Sequence, residues 1–326
     1  MGQPSPQDVY VDELLSNVAI AYSQEPSDFI ARTFAPVIPV EKETGLYPTF
    51  SKADFFKNQV ERRAPSSESA GGEFRIDNTG RYICEPYALH KDVDRRSRAN
   101  AVASLDPEKA AVRFLTQQFQ QKMDKMFVDA FMTTGVWGTD RAGVTSGVDG
   151  DEFLRWDQTN STPARDIKAS IIAMKKSIGR RPNTLVVTED VMNFLEEHSD
   201  FLSTIQYVRE GIVTRDLIAR KLGLERILVV GAIENTADRG QTATMAYVAE
   251  NRALLAYVNP TPSLDAPSAA YTFAHTGYLG AAAAAPQISR LPMDLKKADR
   301  FEGEFSVDMK LVSADCGILF DNCIAA

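Results

Sequence analysis

Residues 41–95 hold aromatic side chains without the apolar density that would bury them, and this limits the possible folds more than any other feature of the chain. Tyr47, Phe50, Phe55 and Phe56 stand among Lys and Glu residues. Between them and the next apolar stretch, Arg62-Arg-Ala-Pro-Ser-Ser-Glu-Ser-Ala-Gly-Gly72 is a polar tip punctuated by Pro and Gly. The flank Glu73-Phe-Arg-Ile-Asp-Asn-Thr-Gly-Arg-Tyr-Ile-Cys84 alternates apolar and polar residues, the pattern of a two-faced strand. Together these stretches predict a long hairpin, whose arms of roughly 18 residues at ~3.3 Å each would reach about 60 Å. A two-stranded ribbon alone is marginal in water, so it needs a partner surface. A disordered insertion is the competing reading of the same composition.

A long helix follows. Asp106-Pro107-Glu108 places an N-cap before a proline at the first helical position. Val112, Leu115, Phe119, Met123, Met126, Phe127, Ala130 and Phe131 keep a three-four spacing up to Thr133, ahead of Gly135. At 1.5 Å per residue this predicts a rod of roughly 40 Å that braces something extended. Its Met and Phe stripe reads as a core face, not as a ligand pocket. Residues 134–163, rich in Gly, Asp, Thr and Ser, read as a long exposed loop with Trp156 as its apolar anchor. Asp149-Gly-Asp151-Glu152 lacks the twelve-residue ligand spacing of a calcium loop and reads as a solvated acidic turn.

From Pro163 the pattern becomes α/β. One helix carries Ile167, Ile171, Met174 and Ile178 and closes at Gly179; Thr184–Val187 is a buried strand, and Thr188 caps the next helix. Another helix runs from about Thr214 to Gly223, before a strand at Ile227–Val230; two further strands flank a turn at Glu250-Asn251. The last strand is the most regular: Phe305, Val307, Met309 and Leu311 alternate with Ser306, Asp308 and Lys310, and Cys316, Ile318, Leu319 and Phe320 follow. The chain therefore returns to a sheet that packs on the long helix. At the other end, residues 1–35 contain Asp8, Asp12, Glu13, Glu25 and Asp28 against Arg32 alone. Val11, Leu14, Leu15, Val18 and Ala19 suit a short amphipathic helix, and Phe34-Ala-Pro-Val-Ile-Pro-Val40 is extended, as in an arm lying on another surface.

The chemistry of a catalyst is hard to find. There is no GxxxxGK[ST], GxGxxG or GxSxG. Cys84, Cys316 and Cys323 are odd in number and widely spaced, which fits reduced thiols better than disulfides or zinc. His90, with Asp92 and Asp94 at spacing two, reads as a solvated strand edge; His198 reads as a cation at a helix C-terminus, and His275 as structural. The net charge of −8 argues against tight non-specific nucleic-acid binding, which needs clustered Lys and Arg. The start Met-Gly-Gln-Pro is unlike a signal peptide, and no apolar run reaches the ~18 residues of a membrane span, so a cytosolic protein is expected.

The order of these segments resembles the major capsid proteins of tailed bacteriophages. Arg62-Arg63-Ala64-Pro65, Gly179-Arg-Arg-Pro-Asn-Thr-Leu-Val-Val187 with the helix to His198, and Ala219-Arg-Lys-Leu-Gly-Leu-Glu-Arg-Ile-Leu-Val-Val-Gly231 carry the likeness. It implies an α+β chain with the Hong Kong 97-type capsid fold. Its parts would be an N-terminal arm over 1–40, an extended E-loop hairpin over 41–95, and a P-domain with a long spine helix over 96–180. An α/β A-domain over 181–284 and return strands of the P-domain over 285–326 would complete it. The resemblance also implies self-assembly into hexamers and pentamers of an icosahedral shell, made in the host cytoplasm and present in the virion. DNA would be enclosed without specific binding, next to a portal and no membrane. Some members carry a scaffolding region before the arm; here the scaffolding protein is expected to be separate. No catalytic, cofactor or metal residues are implied. Some members weld subunits by a Lys–Asn bond, for which Lys52 or Lys57 and Asn322 have the residue types. An encapsulin-like nanocompartment subunit of the same fold, and a soluble α/β enzyme whose site forms only in three dimensions, are the other readings.

Overall fold

A computed structural model describes residues 24–50, 52–101, 106–205, 214–238, 240–262, 267–279 and 287–325. The helix expected over Val11–Ala19 lies outside them. The described residues open with a 3-10 turn at Pro26–Asp28 and a single α-turn at Ala31–Phe34 (α1), then the strands Val37–Val40 (β1) and Thr44–Phe50 (β2), and the short helix Lys52–Phe56 (α2). Ile76–Ile83 (β3) and Glu85–Asp94 (β4) lead into Arg95–Asn100 (α3) and the 25-residue helix Pro107–Phe131 (α4). Thr139–Val144 (β5), Glu152–Leu154 (β6), Pro163–Ile178 (α5), Thr184–Thr188 (β7) and Glu189–Glu197 (α6) follow. Next are Ser199–Ile205 (α7), Arg215–Leu222 (α8), Arg226–Val230 (β8), Ile233–Asn235 (β9), Met245–Tyr247 (β10) and Ala253–Ala256 (β11). Ala270–His275 (β12), Thr276–Leu279 (α9), Gln287–Met293 (β13), Ala298–Leu311 (β14) and Gly317–Asp321 (β15) complete the chain.

β14 organises the first sheet. It pairs along one side with β12 and β13 and along the other with β4, and β1 extends the sheet by pairing parallel to β12. The alternation seen in the sequence holds in space for Phe305, Val307 and Met309, which are buried on the sheet that α4 covers, while Leu311 is half-buried. The helix starts where expected, the Asp106 carboxylate accepting from the N–H groups of Glu108 and Lys109 at 3.0 and 3.3 Å. Its buried face, including Leu115, Phe119, Met123 and Phe127, closes on the sheet. Phe119 meets Phe305 edge-on at 5.3 Å, and Tyr87, its cross-strand neighbour on β4, stacks on Phe305 at 5.3 Å. Gly303 permits this approach, because a Cβ there would lie 2.2 Å from the Phe119 ring.

The second sheet has the order β6-β5-β15-β11-β7-β8. β11 runs antiparallel to both β15 and β7, while β7–β8, β15–β5 and β5–β6 are parallel. β7 and β11 are buried along their whole length, as strands covered on both faces must be. α5 packs on β11 and β15, and α6 on β7 and β8. None of the described helices is long and apolar enough to cross a membrane.

Several sequence expectations need correction. Residues 134–163 are not one exposed loop: they contain β5 and β6, and Trp137, Phe153 and Trp156 are buried. Thr139-Asp-Arg-Ala-Gly-Val144 has weak strand propensity, but pairing with β15 imposes the conformation, and Gly143 lies against the Asn322 carbonyl. The terminal strand β15 joins the second sheet, so residues 285–326 are not all return strands beside β14. Conversely, β12, inside the range 181–284, belongs to the first sheet. Residues 24–40 lie on the body of their own chain, as Phe34 is fully buried and meets Phe127 edge-on at 5.0 Å. Thr188 occupies the N-cap position, yet its hydroxyl donates to the Arg252 carbonyl instead of capping α6.

Candidate intersubunit surface

Of the four aromatic residues that lacked a core in the sequence, Tyr47 is buried at an anchored root and Phe56 is exposed, while the side chains of Phe50 and Phe55 lie outside those described. At the root, β2 and β3 pair antiparallel from Thr44↔Ile83, with a bulge between Tyr47 and Thr49. Tyr82 and Tyr47 stack on Phe273 of β12 at 4.5 and 5.4 Å, and Tyr47 donates to the Leu311 carbonyl at 3.2 Å. Cys84 completes this second small core. Gly80 leaves room for the Tyr47 ring, which a Cβ there would approach to 2.6 Å. Lys52 then ties α2 to the second sheet's layer through Asp315 at 2.6 Å and Ser177 at 3.1 Å. That contact occupies the Lys52 ammonium within its own chain.

Beyond the root the ribbon is shorter than predicted: its strands have 7 and 8 residues, and 57–75 contain no strand. The neck is closed by Gln59, whose side chain accepts from the Glu73 N–H at 3.0 Å and donates to the Glu73 carbonyl at 3.1 Å. Asp54 and Arg75 add an ion pair at 2.9 Å. Past the neck the tip bonds to itself, the Ser67 N–H and hydroxyl both reaching the Ala64 carbonyl. Val60 is 87% exposed, Phe56 62% and Phe74 55%; Leu46, on the outer face of β2, is 67% exposed. A fixed root thus carries a tip on which Val60 stands almost wholly in water.

The residues that could have carried catalysis or metal are otherwise engaged. Ser161, His198 and Asp200 form the nearest approach to a nucleophile–base pair, with Ser161 Oγ 3.2 Å from His198 Nε2. Its polarity is wrong. His198 Nδ1 accepts the Asp200 N–H, so Nε2 carries the proton, and the Ser161 hydroxyl donates to the Trp156 carbonyl. Burial also lowers the His198 pKa, which corrects the expectation of a cation there. Asp92 forms a bidentate pair with Arg300 at 2.8 and 3.2 Å, Asp94 caps α3, and His90 is exposed. His275 approaches the Glu41 carbonyl at 3.2 Å. Asp149-Gly-Asp151-Glu152 closes as a turn, the Glu152 carboxylate accepting the Asp149 N–H. The three thiols are buried, and burial pushes the Cys84 pKa up to about 12. Among the described residues no group of three or more His, Cys, Asp or Glu is placed to hold a metal.

Two polar sites escaped the sequence reading. Asp299, on β14, is met by Arg98 and Arg290 at 2.8 and 2.6 Å, with Arg95 at 3.7 Å, and both closer arginines also reach Glu108 at the start of α4. Asp124, buried on α4, accepts the N–H groups of Ile30 and Ala31 at 3.1 and 2.9 Å and so caps α1. Burial raises its pKa from 3.8 to about 6 against the pull of these two bonds. Between about pH 4 and 6 the folded chain keeps a proton that the unfolded chain releases, so this group makes stability fall as pH rises through that window. The drop is on the order of 3 kcal/mol. Urea unfolding from pH 4 to 7 should show this slope in the native chain and a flatter profile for Asp124→Asn; superimposable profiles would refute it.

No protein-family model matches the chain. A curated relative, the major capsid protein of Burkholderia phage BcepMu, is 30% identical over 247 residues, which is 73% of this chain and 76% of the relative. Solved structures share the fold at lower identity. A phage-related protein from Bordetella bronchiseptica RB50 matches with a TM-score of 0.69 and 22% identity, over 95% of this chain and 96% of that one. The capsid of cyanophage P-SCSP1u gives 0.60 and 12%, over 93% and 90%, and the mature capsid of bacteriophage PhiM1 gives 0.57 and 10%, over 93% and 89%. The two-sheet α+β architecture with its long helix and projecting ribbon is therefore the Hong Kong 97-type capsid fold.

Proposed function

This chain belongs to the major capsid proteins of tailed bacteriophages, and from that membership we propose how its surfaces are used. It is a capsid shell subunit of the virion, and its work is structural. Copies close as hexamers and pentamers into an icosahedral shell in the host cytoplasm, helped by a separate scaffolding protein and a portal, and enclose DNA. Residues 41–95 serve as the E-loop. The six-stranded sheet, including β5, β6 and β15, forms the axial unit, and the sheet around β14 forms the peripheral one.

The supporting observation is the mismatch between the two halves of the ribbon. Its root is locked by Tyr47 and Tyr82 on Phe273, while Val60 stands exposed beyond the Gln59–Glu73 neck. Closed symmetric assembly gives every copy a neighbour to cover such an arm. Expression of the full chain, alone and with its scaffolding protein, should yield hollow closed shells by negative-stain electron microscopy. Monomers and small oligomers under every condition would overturn the reading.

A further inference from the structure

We infer that the outward face of α5 is the surface on which this subunit meets the phosphate backbone of enclosed duplex DNA. The inference rests on the capsid reading and adds to it a contact that the net charge of −8 conceals. Residues 163–181 contain six cations, Arg165, Lys168, Lys175, Lys176, Arg180 and Arg181, against one carboxylate, Asp166. All six are exposed, whereas Asp166 is half-buried.

Helix geometry makes this a face. At 3.6 residues per turn, Arg165, Lys168, Lys175 and Lys176 fall within an arc of about 100° that flanks the stripe of buried Ile167, Ile171, Met174 and Ile178. Among the described residues none of these four pairs with a carboxylate, although Arg and Lys elsewhere do so repeatedly. Two further cations are held at the end of the helix. Arg180 donates to the Tyr257 hydroxyl at 3.1 Å with its guanidinium over that ring, and Arg181 donates to the Leu222 carbonyl at 3.0 Å. The latter bond joins the stripe to α8, where Arg220 is exposed. From Arg165 to Lys176 the helix covers about 17 Å at 1.5 Å per residue. Duplex DNA presents roughly ten phosphates over that length.

The composition of the face selects the occupant. Ile172 is its one large apolar side chain, 69% exposed, with Ala169 and Ala173 beside it. Protein interfaces centre on apolar and aromatic residues and are depleted in Lys, whereas phosphate contact requires Lys and Arg and no apolar centre. Nothing in the stripe presents a base-reading array, so the contact is independent of sequence.

The test compares the full chain with the quadruple variant Arg165→Gln, Lys168→Gln, Lys175→Gln, Lys176→Gln. Binding to a labelled duplex of mixed sequence is followed by fluorescence anisotropy between 50 and 200 mM salt. The variant should bind at least about tenfold more weakly at 50 mM, with a log–log salt slope shallower by about 3–4. Equal affinity and equal slope would overturn the inference, as would binding of polyglutamate, but not of duplex DNA, by the native chain. Shell formation is scored on the same two proteins by electron microscopy. Shells from both place any loss of DNA affinity on α5 alone. Equal affinity in proteins that both form shells defeats the DNA contact and leaves the capsid reading intact, whereas a native chain that never forms shells defeats the capsid reading itself.

Discussion

Deleting residues 64–72 should convert a shell-forming protein into free, folded subunits. The segment lies beyond the neck where Gln59 grips both backbone groups of Glu73, and its internal hydrogen bonds, Ser67 to Ala64 and Arg63 to Ser67, stay within the tip. Nothing described in the body of the protein loses a partner when it goes. The root contacts of Tyr47 and Tyr82 with Phe273 remain, as does the Lys52–Asp315 ion pair. Circular dichroism should be unchanged, and the unfolding temperature should move by no more than about 2 °C, as for surface changes of a few tenths of a kcal/mol. Sedimentation and electron microscopy should nevertheless find no shells, because each copy has lost the arm it lends to a neighbour. A milder version, Val60→Glu, places a charge where an apolar side chain is 87% exposed in the free subunit and should lower shell yield without altering the fold. Normal shells from the deletion would mean that the arm is not an intersubunit element.

What could be read in the sequence was what neighbouring residues decide among themselves. Asp106 and Pro107 start α4, and Gly179 and Gly223 end α5 and α8 in the left-handed region, both at φ 71°. The alternation from Phe305 to Leu311 announced the face that meets α4, since period two survives in any sheet. Partnership between distant strands was not legible. β5 pairs with β15 at Thr139↔Ile318, and no local pattern in either segment names the other. The same limit explains why residues 134–163 resembled a loop and why β15 was expected beside β14. Asp124 and Asp299 have no local signal in the sequence, because their partners come from the N-terminal segment in one case and from three separate arginines in the other. For His198, the protonation state depends on the Asp200 N–H and on burial, neither of which a position at a helix end discloses. Net charge misled in a similar way: a total of −8 is compatible with a helix face of unpaired cations.

Phe305→Ala should cost about 3–5 kcal/mol, the usual range for removing a fully buried ring. The side chain is 0% exposed and packs against the Tyr87 ring, stacked at 5.3 Å, and the Phe119 edge, also at 5.3 Å. The partners come from β4 on the sheet and α4 above it, elements that also touch each other directly. Tyr87 in turn carries the Lys122 ammonium at 5.2 Å from its ring, so the loss reaches the solvent side of α4. Glu304→Ala, one residue earlier, changes the opposite face of the same strand and should stay within about 0.5 kcal/mol. Urea unfolding must be measured on unassembled subunits, since association would add stability by mass action and mask the difference. Against a total of roughly 5–15 kcal/mol, the Phe305 loss should leave a subunit too unstable to accumulate in closed shells. If both variants unfolded at the same urea concentration as the native chain, β14 would not be the strand that joins the long helix to the sheet, and the alternation from 305 to 311 would carry no structural meaning.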